Sequence, residues 1–375
     1  MISLPQNLLK FSNSRSVDKP FLVIFLIILI VGLFVFFSAS FGLLARGQVE
    51  MSSVLKSQFG LGVILGGLAC YFASRLHPQS LRKLSLFLFV IAFVLNLMVF
   101  VPQIGMSHGG ATRWLDFGFT TFQPSELLKI AFIVYFASWL STMSGRLKGR
   151  IYNLLPAMII IALTLLVFLL QKDTDNAIIL MTVAGLMYLI AGGKWKDGLI
   201  IVLIGGIFFG GWVLYNPYLR ERFVSYLRPG TNLQTVGYQT NQSLIAIGSG
   251  GLFGNGFGQS IQKFGKLPEP IGDSIFAVAG EEFGFVGLSF LTLLFLAFAF
   301  FGLRVSILAP DLFSRLISFG IVILIVLQSF VNIFAMLNLI PMSGLPLVFV
   351  SHGGSSLLVA LLAVGIVLGV SRYAK

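Results

Sequence analysis

The chain has 375 residues, 57% of them hydrophobic and only 10% charged. A soluble domain so composed would expose one continuous apolar surface, so composition excludes that class and predicts an all-α polytopic membrane protein. The formal net charge of +12 reads as the positive-inside bias of such a protein rather than a nucleic-acid surface, and the single Cys70 excludes an internal disulfide.

Apolar runs predict about ten spans, at roughly 20–40, 57–75, 84–102, 122–141, 153–170, 176–193, 197–215, 274–303, 314–338 and 348–370. Lys10, Arg15 and Lys19 precede the first span and no small-residue cleavage site follows it. Residues 1–19 therefore read as a cytoplasmic segment ahead of a retained anchor. Most of the other basic residues, among them Arg75, Arg82, Lys83, Arg146, Lys148, Arg150, Arg304, Arg315 and Arg372, fall in short segments on that same side. Both termini are thus expected in the cytoplasm of one domain covering 1–375. Most of the 13 acids fall on the other side, which directs any chemistry outward.

Ionisable groups at membrane depth are candidates for function, with structural pairing as the competing explanation. The first cluster is GGATRWLDFGFTTFQPSELLKI, 109–130. Pro124 suits the first turn of a helix, with Gln123 or Thr121 near its cap. Glu126 and Lys129 are then i,i+3 neighbours able to pair. Arg113 beside Trp114 fits either an interfacial anchor or a phosphate ligand. In QKDTDNAIIL, 171–180, Asp173 and Asp175 flank a tight outer turn, and Asp175 or Thr174 suits a helix cap.

Residues 216–273 form the one long outer loop, whose length favours a functional segment. Within it Ser243–Ile247 suits a short apolar helix with Gln239 and Gln242 at its start. The glycines at 248, 250, 251, 254, 256 and 258 do not match a nucleotide-binding spacing, and no nucleotide is expected. They suit tight turns, or a backbone approaching a diphosphate. Gly62 with Gly66, and Gly206 with Gly210, have helix-packing spacing. The third cluster, LPEPIGDSIFAVAGEEFGFVG at 267–287, carries Asp273, Glu281 and Glu282 into a span. The fourth, NLIPMSGLPLVFVSHGGSSLL at 338–358, enters the last span with Gly353 and Gly354 as structural small residues. No Cys/His metal motif is present. Carboxylates suit Mg²⁺ or Mn²⁺, but no ligand spacing specifies either.

Taken in this order, the motifs RWL with FQPSELLKI, GYQTNQSLIAIGSGGLFGNGFG, LPEPIGDSIFAVAGEEFGFVG and GLPLVFVSHGGSSLL resemble the SEDS family, the FtsW, RodA and SpoVE membrane proteins of bacterial division, elongation and sporulation. The phrases GDSIFAVAGEEFGFVG, HGGSSLL and SRYAK look more like FtsW members than RodA members. The chain departs from the family phrase Gln-Pro-Asp-Leu-Gly-Thr, since Lys172, Asp175 and Asn176 replace its Pro, Gly and Thr. A family Tyr is His352 here, and no role is expected of it.

The resemblance implies ten transmembrane helices and an inverting peptidoglycan glycosyltransferase acting on lipid II outside the membrane. It also implies a class B penicillin-binding transpeptidase and other divisome membrane proteins as partners, at the septum of the bacterial inner membrane. A sugar hydroxyl would attack an anomeric carbon and displace undecaprenyl diphosphate. That chemistry asks for a base and for cations. Asp273, at the outer mouth of a span, is the expected base, with a helix cap to the Phe276 N–H as its structural alternative. Arg113 and Lys129 are expected at the diphosphate, Glu126 orienting Lys129, and Asp173 holding a divalent cation or positioning Arg113. Gln239, Gln242 and Ser243 are candidate substrate contacts. Glu281 and Glu282 lie about 12 to 13 Å further along a helix, too deep for sugar chemistry, and are expected to pair with an interior Lys or Arg or to bond across helices. The competing functions are a lipid II flippase, an elongation polymerase of the RodA kind, and a non-catalytic scaffold.

Overall fold

A computed structural model describes residues 16–45, 48–108, 111–116, 118, 121–146, 155–196, 210–211, 217–227 and 236–374. In chain order the helices are α1 (Lys19–Ser40), α2 (Gln48–Lys56), a π-helical stretch (Ser57–Leu65), α3 (Gly66–Arg75), α4 (Pro78–Met98), α5 (Pro124–Met143), α6 (Leu155–Leu170), α7 (Thr174–Ile190), α8 (Pro217–Leu227), α9 (Val236–Ser249), α10 (Ile275–Ile307), α11 (Leu312–Met336) and α12 (Gly354–Ser371). Among the described residues seven helical segments are long and apolar enough to cross a membrane, and Met158–Leu170 and Thr174–Ile190 are shorter apolar helices where spans five and six were expected. The protein is an all-α polytopic membrane protein. The expected span 197–215 lies outside the described residues except at 210–211, as does Gly206.

Side-chain caps set several helix starts. Asp18 accepts the Phe21 N–H at 3.0 Å to open α1, and Asp311 accepts the Ser314 N–H at 2.8 Å to open α11. His77 Nδ1 accepts the Gln79 N–H at 3.2 Å ahead of Pro78, so α4 begins earlier than the apolar run alone suggested. The last helix begins later than expected, because Phe349 has φ 69° and the backbone becomes helical only at Gly354. The Asp18 N–H bonds Ser371 Oγ at 3.0 Å, which joins the start of α1 to the end of α12. Packing follows the small residues. A Cβ on Gly62 would lie 2.8 Å from the Leu357 side chain, and one on Gly66 2.8 Å from that of Leu361, so α12 lies tight against the π-helical stretch and α3.

Two parts of the fold differ from the expectation of spans and one loop. Between α4 and α5 the chain forms a small antiparallel sheet of β1 (Gly105–His108), β2 (Ala111–Asp116) and β3 (Thr121–Phe122) in that order. The long segment 216–273 is not one loop, since it contains α8 and α9. Helix α9 starts at Val236, ahead of the short helix expected over Ser243–Ile247, and its polar first turn is tied to the bundle through Gln239. Gln239 Nε2 bonds Ser274 Oγ at 3.0 Å.

The break in α10 explains the glycine-rich stretch. Gly284 has φ 63° and ψ −164°, a conformation essentially confined to glycine, and it interrupts the helical hydrogen bonds. Residues 251–256 supply the missing partners. The Phe285 and Val286 N–H groups bond the Gly251 and Leu252 carbonyls at 2.9 and 3.1 Å. The Glu281 and Glu282 carbonyls accept from Asn255 and Gly256 at 3.0 and 2.9 Å. A Cβ on Gly254 would lie 2.1 Å from the Glu282 carbonyl oxygen, so only glycine allows this approach. These N–H groups serve α10, not a diphosphate, and the tight-turn expectation is the one that matches.

Candidate active site

Helices α5, α7, α10 and α12 all begin around a cavity of about 590 Å³. Its lining includes Arg113, Trp114, Gln123, Glu126, Lys172, Asp175, Asn176, Arg222, Glu269, Asp273, Gly344 and the α12 entry from His352 to Ser356. Polar groups thus converge at one end of an otherwise apolar bundle.

Asp273 is held by its backbone and left open at its side chain. Three successive carbonyls are anchored. Ile271 O accepts the His352 N–H at 2.7 Å, Gly272 O accepts the Ser351 hydroxyl at 2.8 Å, and Asp273 O accepts Asn332 Nδ2 at 2.7 Å. Ser274, not Asp273, holds the N-cap position of α10, and no side chain caps it. The helix-cap alternative for Asp273 therefore fails. Its carboxyl is pushed up to about 7, by burial first and then by the charge of Glu269, with Arg222 and Arg113 pulling the other way and Asp175 adding to the rise.

Behind one wall runs a buried polar chain. Lys129 is 1% exposed, and its Nζ donates to Glu126 Oε1 at 2.8 Å, Asn176 Oδ1 at 2.7 Å and Gln328 Oε1 at 2.8 Å. The expected Glu126–Lys129 pair is present. Because an ammonium has three donors and all are taken, this arrangement leaves none for a diphosphate, which corrects the expectation for Lys129. Asn176 passes the chain on, donating to Asp173 Oδ2 at 2.9 Å, and Asp173 Oδ1 lies 3.8 Å from Arg113 Nη1. Arg113 also bonds the carbonyls of Gln171, at 3.3 Å, and Lys172. Asp173 is buried and off the cavity, so it positions Arg113, which does line it.

Other expected residues lie elsewhere. Pro124 opens α5 as expected, after Gln123, which caps without a side-chain bond. Trp114 lies in β2 on the cavity wall. Gln239, Gln242 and Ser243 do not line the cavity. Gln239 braces Ser274, and the Ser243 hydroxyl donates to the Gln239 carbonyl at 2.9 Å from a fully buried position. Gln239 thereby supports the residue after Asp273. Asp175 caps nothing: its Oδ2 accepts Arg222 Nη1 at 3.2 Å and the Gly344 N–H at 3.1 Å. Gly353 donates its N–H to Gln58 Oε1 at 2.9 Å, and a Cβ on Gly354 would meet Ser57 O at 2.5 Å, so Gly354 lets α12 approach the π-helical stretch.

Glu281 and Glu282 lie off the cavity at the α10 break. Glu281 accepts from the Ser260 hydroxyl and from the Ile261 and Gln262 N–H groups at 3.0 and 3.2 Å. Glu282 accepts from the Ser38 hydroxyl and from Lys263 Nζ at 2.7 Å. The interior cation expected for this pair is present for Glu282, while Glu281 is held by hydroxyl and backbone donors.

Sequence reasoning missed three cavity residues. Arg222 had no local signal, since its partner Asp175 is 47 positions away. Glu269 sits between Pro268 and Pro270, a proline-bracketed acid that was a usable sign in the sequence, and the structure holds it at φ 45°. His352 stacks on Phe36 with centroids 6.0 Å apart, and burial pushes its imidazole down to about 4, keeping it neutral. Among the described residues no three of His, Cys, Asp and Glu converge as metal ligands. Of the described carboxylates lining the cavity, Glu126 and Asp175 are engaged with Lys129 and Arg222, and the remaining two, Glu269 and Asp273, are too few to cage a cation.

A family model described as "Cell cycle protein", for FtsW, RodA and SpoVE, matches residues 19–375. Stage V sporulation protein E of Bacillus subtilis is 36% identical over 364 residues, 97% of this chain and 99% of that protein. "Probable peptidoglycan glycosyltransferase FtsW" of Geobacter metallireducens is 36% identical over 368 residues, 97% of each chain. Among solved structures, a chain from "Structural coordination of polymerization and crosslinking by a peptidoglycan synthase complex" superposes with a TM-score of 0.78 at 25% identity, covering 95% of this chain and 98% of that one.

Proposed function

This chain belongs to the FtsW, RodA and SpoVE family of cell cycle proteins, and from that premise we propose that it is an inverting peptidoglycan glycosyltransferase that polymerises lipid II at the outer face of the cytoplasmic membrane during septal wall synthesis. The observation that carries the proposal is Asp273, a backbone-anchored carboxyl on a cavity wall whose pKa is raised to about 7. An acid so placed is charged often enough to take a proton at neutral pH and basic enough to keep it.

In this reading Asp273 removes the proton from the attacking sugar hydroxyl as that oxygen bonds to the anomeric carbon. The bond to undecaprenyl diphosphate breaks in the same displacement, and its electron pair leaves with the diphosphate. Arg113, fixed by Asp173 and the Gln171 and Lys172 carbonyls, is a planar donor fork for that leaving group. Lys129 acts through Glu126 and Asn176, as a positioning residue.

The wider context is proposed with it. Both termini lie in the cytoplasm, as the basic residues indicate. A crosslinking partner of the class B penicillin-binding type, with other divisome membrane proteins, fits the relative solved in a polymerising and crosslinking complex. The test is purified protein with labelled lipid II in detergent. Glycan polymer formed without any bilayer supports the polymerase, and none with or without the partner contradicts it.

A further inference from the structure

Arg222 stands on α8, far from the base in sequence, yet its Nη1 lies 3.2 Å from Asp175 Oδ2 on α7. That same Asp175 oxygen accepts the Gly344 N–H at 3.1 Å, which seats the ion pair on the segment before α12. Gly344 has no side chain to intervene. A Cβ placed there would lie 3.6 Å from Arg222 Nη2 and 3.7 Å from Asp273 Oδ2, so the guanidinium and the carboxylate flank one bare glycine. Tyr226, one turn further along α8, adds a second tie through its hydroxyl to the Leu339 carbonyl at 2.9 Å. The pair is largely screened from water, its side chains 13% and 24% exposed, so its charges act strongly at short range.

We propose that the Asp175–Arg222 pair is a positioning device that sets the proton affinity of Asp273, with Arg222 favouring the charged carboxylate and Asp175 holding Arg222 in place while opposing its effect. This rests on the reading of Asp273 as the base. The other charged groups around Asp273 are Glu269 on its own segment, which raises its pKa, and Arg113 on β2, which lowers it. Glu126 of α5, Lys172 of the α6–α7 turn and the neutral His352 line the same cavity, Glu126 already paired with Lys129. Among the described residues, the Asp175–Arg222 pair alone brings two opposite charges to Asp273 from two separate helices. Asn at position 175 keeps an oxygen that can accept from Arg222 and the Gly344 N–H, so Asp175→Asn removes the negative charge with Arg222 still seated, and neutralising the two partners moves Asp273 in opposite directions.

The experiment uses the full-length protein in detergent as wild type, Arg222→Gln, Arg222→Lys and Asp175→Asn, each normalised to folded protein by gel filtration. Two readouts are taken: the carboxyl titration of Asp273 by carbon-13 NMR with labelled aspartate, identified by its loss in Asp273→Asn, and the pH dependence of lipid II polymerisation. Arg222→Gln is expected to raise the Asp273 midpoint by about one unit and Asp175→Asn to lower it, with the rate profile following and Arg222→Lys staying near wild type. Midpoints that stay put, or that move in one direction for both neutralising variants, overturn the proposal. If Arg222→Gln does not fold, Asp175→Asn decides alone: a lower midpoint supports the device, and an unchanged or higher one contradicts it. Absence of polymer from wild type at every pH contradicts the glycosyltransferase reading instead, while the carboxyl midpoints still decide the role of the pair.

Discussion

Asp273 and Glu282 are nine positions apart, at and just inside the start of α10, and they live in opposite circumstances. Glu282 is 1% exposed, saturated by Lys263 and Ser38, and built into the break of the helix. Asp273 has its carbonyl pinned and its carboxyl on a cavity, among charges that pull both ways. An acid that is fully satisfied serves the fold, because moving its proton would cost the bonds that hold it. An acid that is placed but not satisfied keeps a proton within reach of chemistry. Residue type does not separate the two; the hydrogen-bond partners do.

The strongest way to break this contrast is Glu282→Gln. It leaves the Lys263 ammonium buried without its counter-charge, and is expected to cost about 3 to 5 kcal/mol. Thermal unfolding in detergent checks this, and Glu282→Gln combined with Lys263→Met is expected to recover part of the loss. A single variant that melts like wild type would remove the structural half of the comparison.

Gly284→Ala probes the break itself. A Cβ there would lie 2.4 Å from the Gly254 nitrogen, and the backbone angles are strained for any other residue. The expected loss is about 1 to 3 kcal/mol, read by the same melts. Turnover per folded molecule at permissive temperature should change far less than stability.

The pH dependence of stability sharpens the other half. Folded Asp273 holds its proton up to about pH 7, whereas an ordinary aspartate releases it near 3.8. Between those values the folded state binds the extra proton, so this residue's contribution to stability falls as pH rises through the window. Asp273→Asn has no proton to lose. Its melting temperature relative to wild type should therefore be higher at pH 8 than at pH 5, and a difference independent of pH would argue against a desolvated acid.

The smallest effect belongs to Gln242→Ala. Gln242 is absent from the cavity wall, so polymerisation should stay within about twofold of wild type. A large loss would return it to the substrate.

What the sequence made legible follows from range. Apolar runs are local, and nine of the expected spans fall on described apolar helices; caps such as His77 and Asp311 then refined the starts. The Glu126–Lys129 pair was visible because i,i+3 spacing is a property of one helix. The acceptors that exhaust Lys129, Asn176 and Gln328, come from two other helices and left no trace in its neighbourhood. Arg222 is the same case. The glycines of 250–256 looked like turns, and only the fold shows that they mend a broken helix 30 residues on. Asp173 was expected to hold a cation or to position Arg113, and its contact with Arg113 matches the second, whereas Asp175 was read as a cap from local spacing and its distant partner Arg222 reassigned it.

The central claim is that the open acid, not the satisfied one, performs the chemistry. Its most direct test is the initial rate of labelled lipid II polymerisation at pH 8 by Asp273→Asn and wild type, each normalised to folded protein by gel filtration. Asn keeps the size of the side chain and the anchored carbonyl but cannot take a proton. The account predicts a fall of about 10² or more with folding retained. Polymerisation by folded Asp273→Asn at close to the wild-type rate would contradict it.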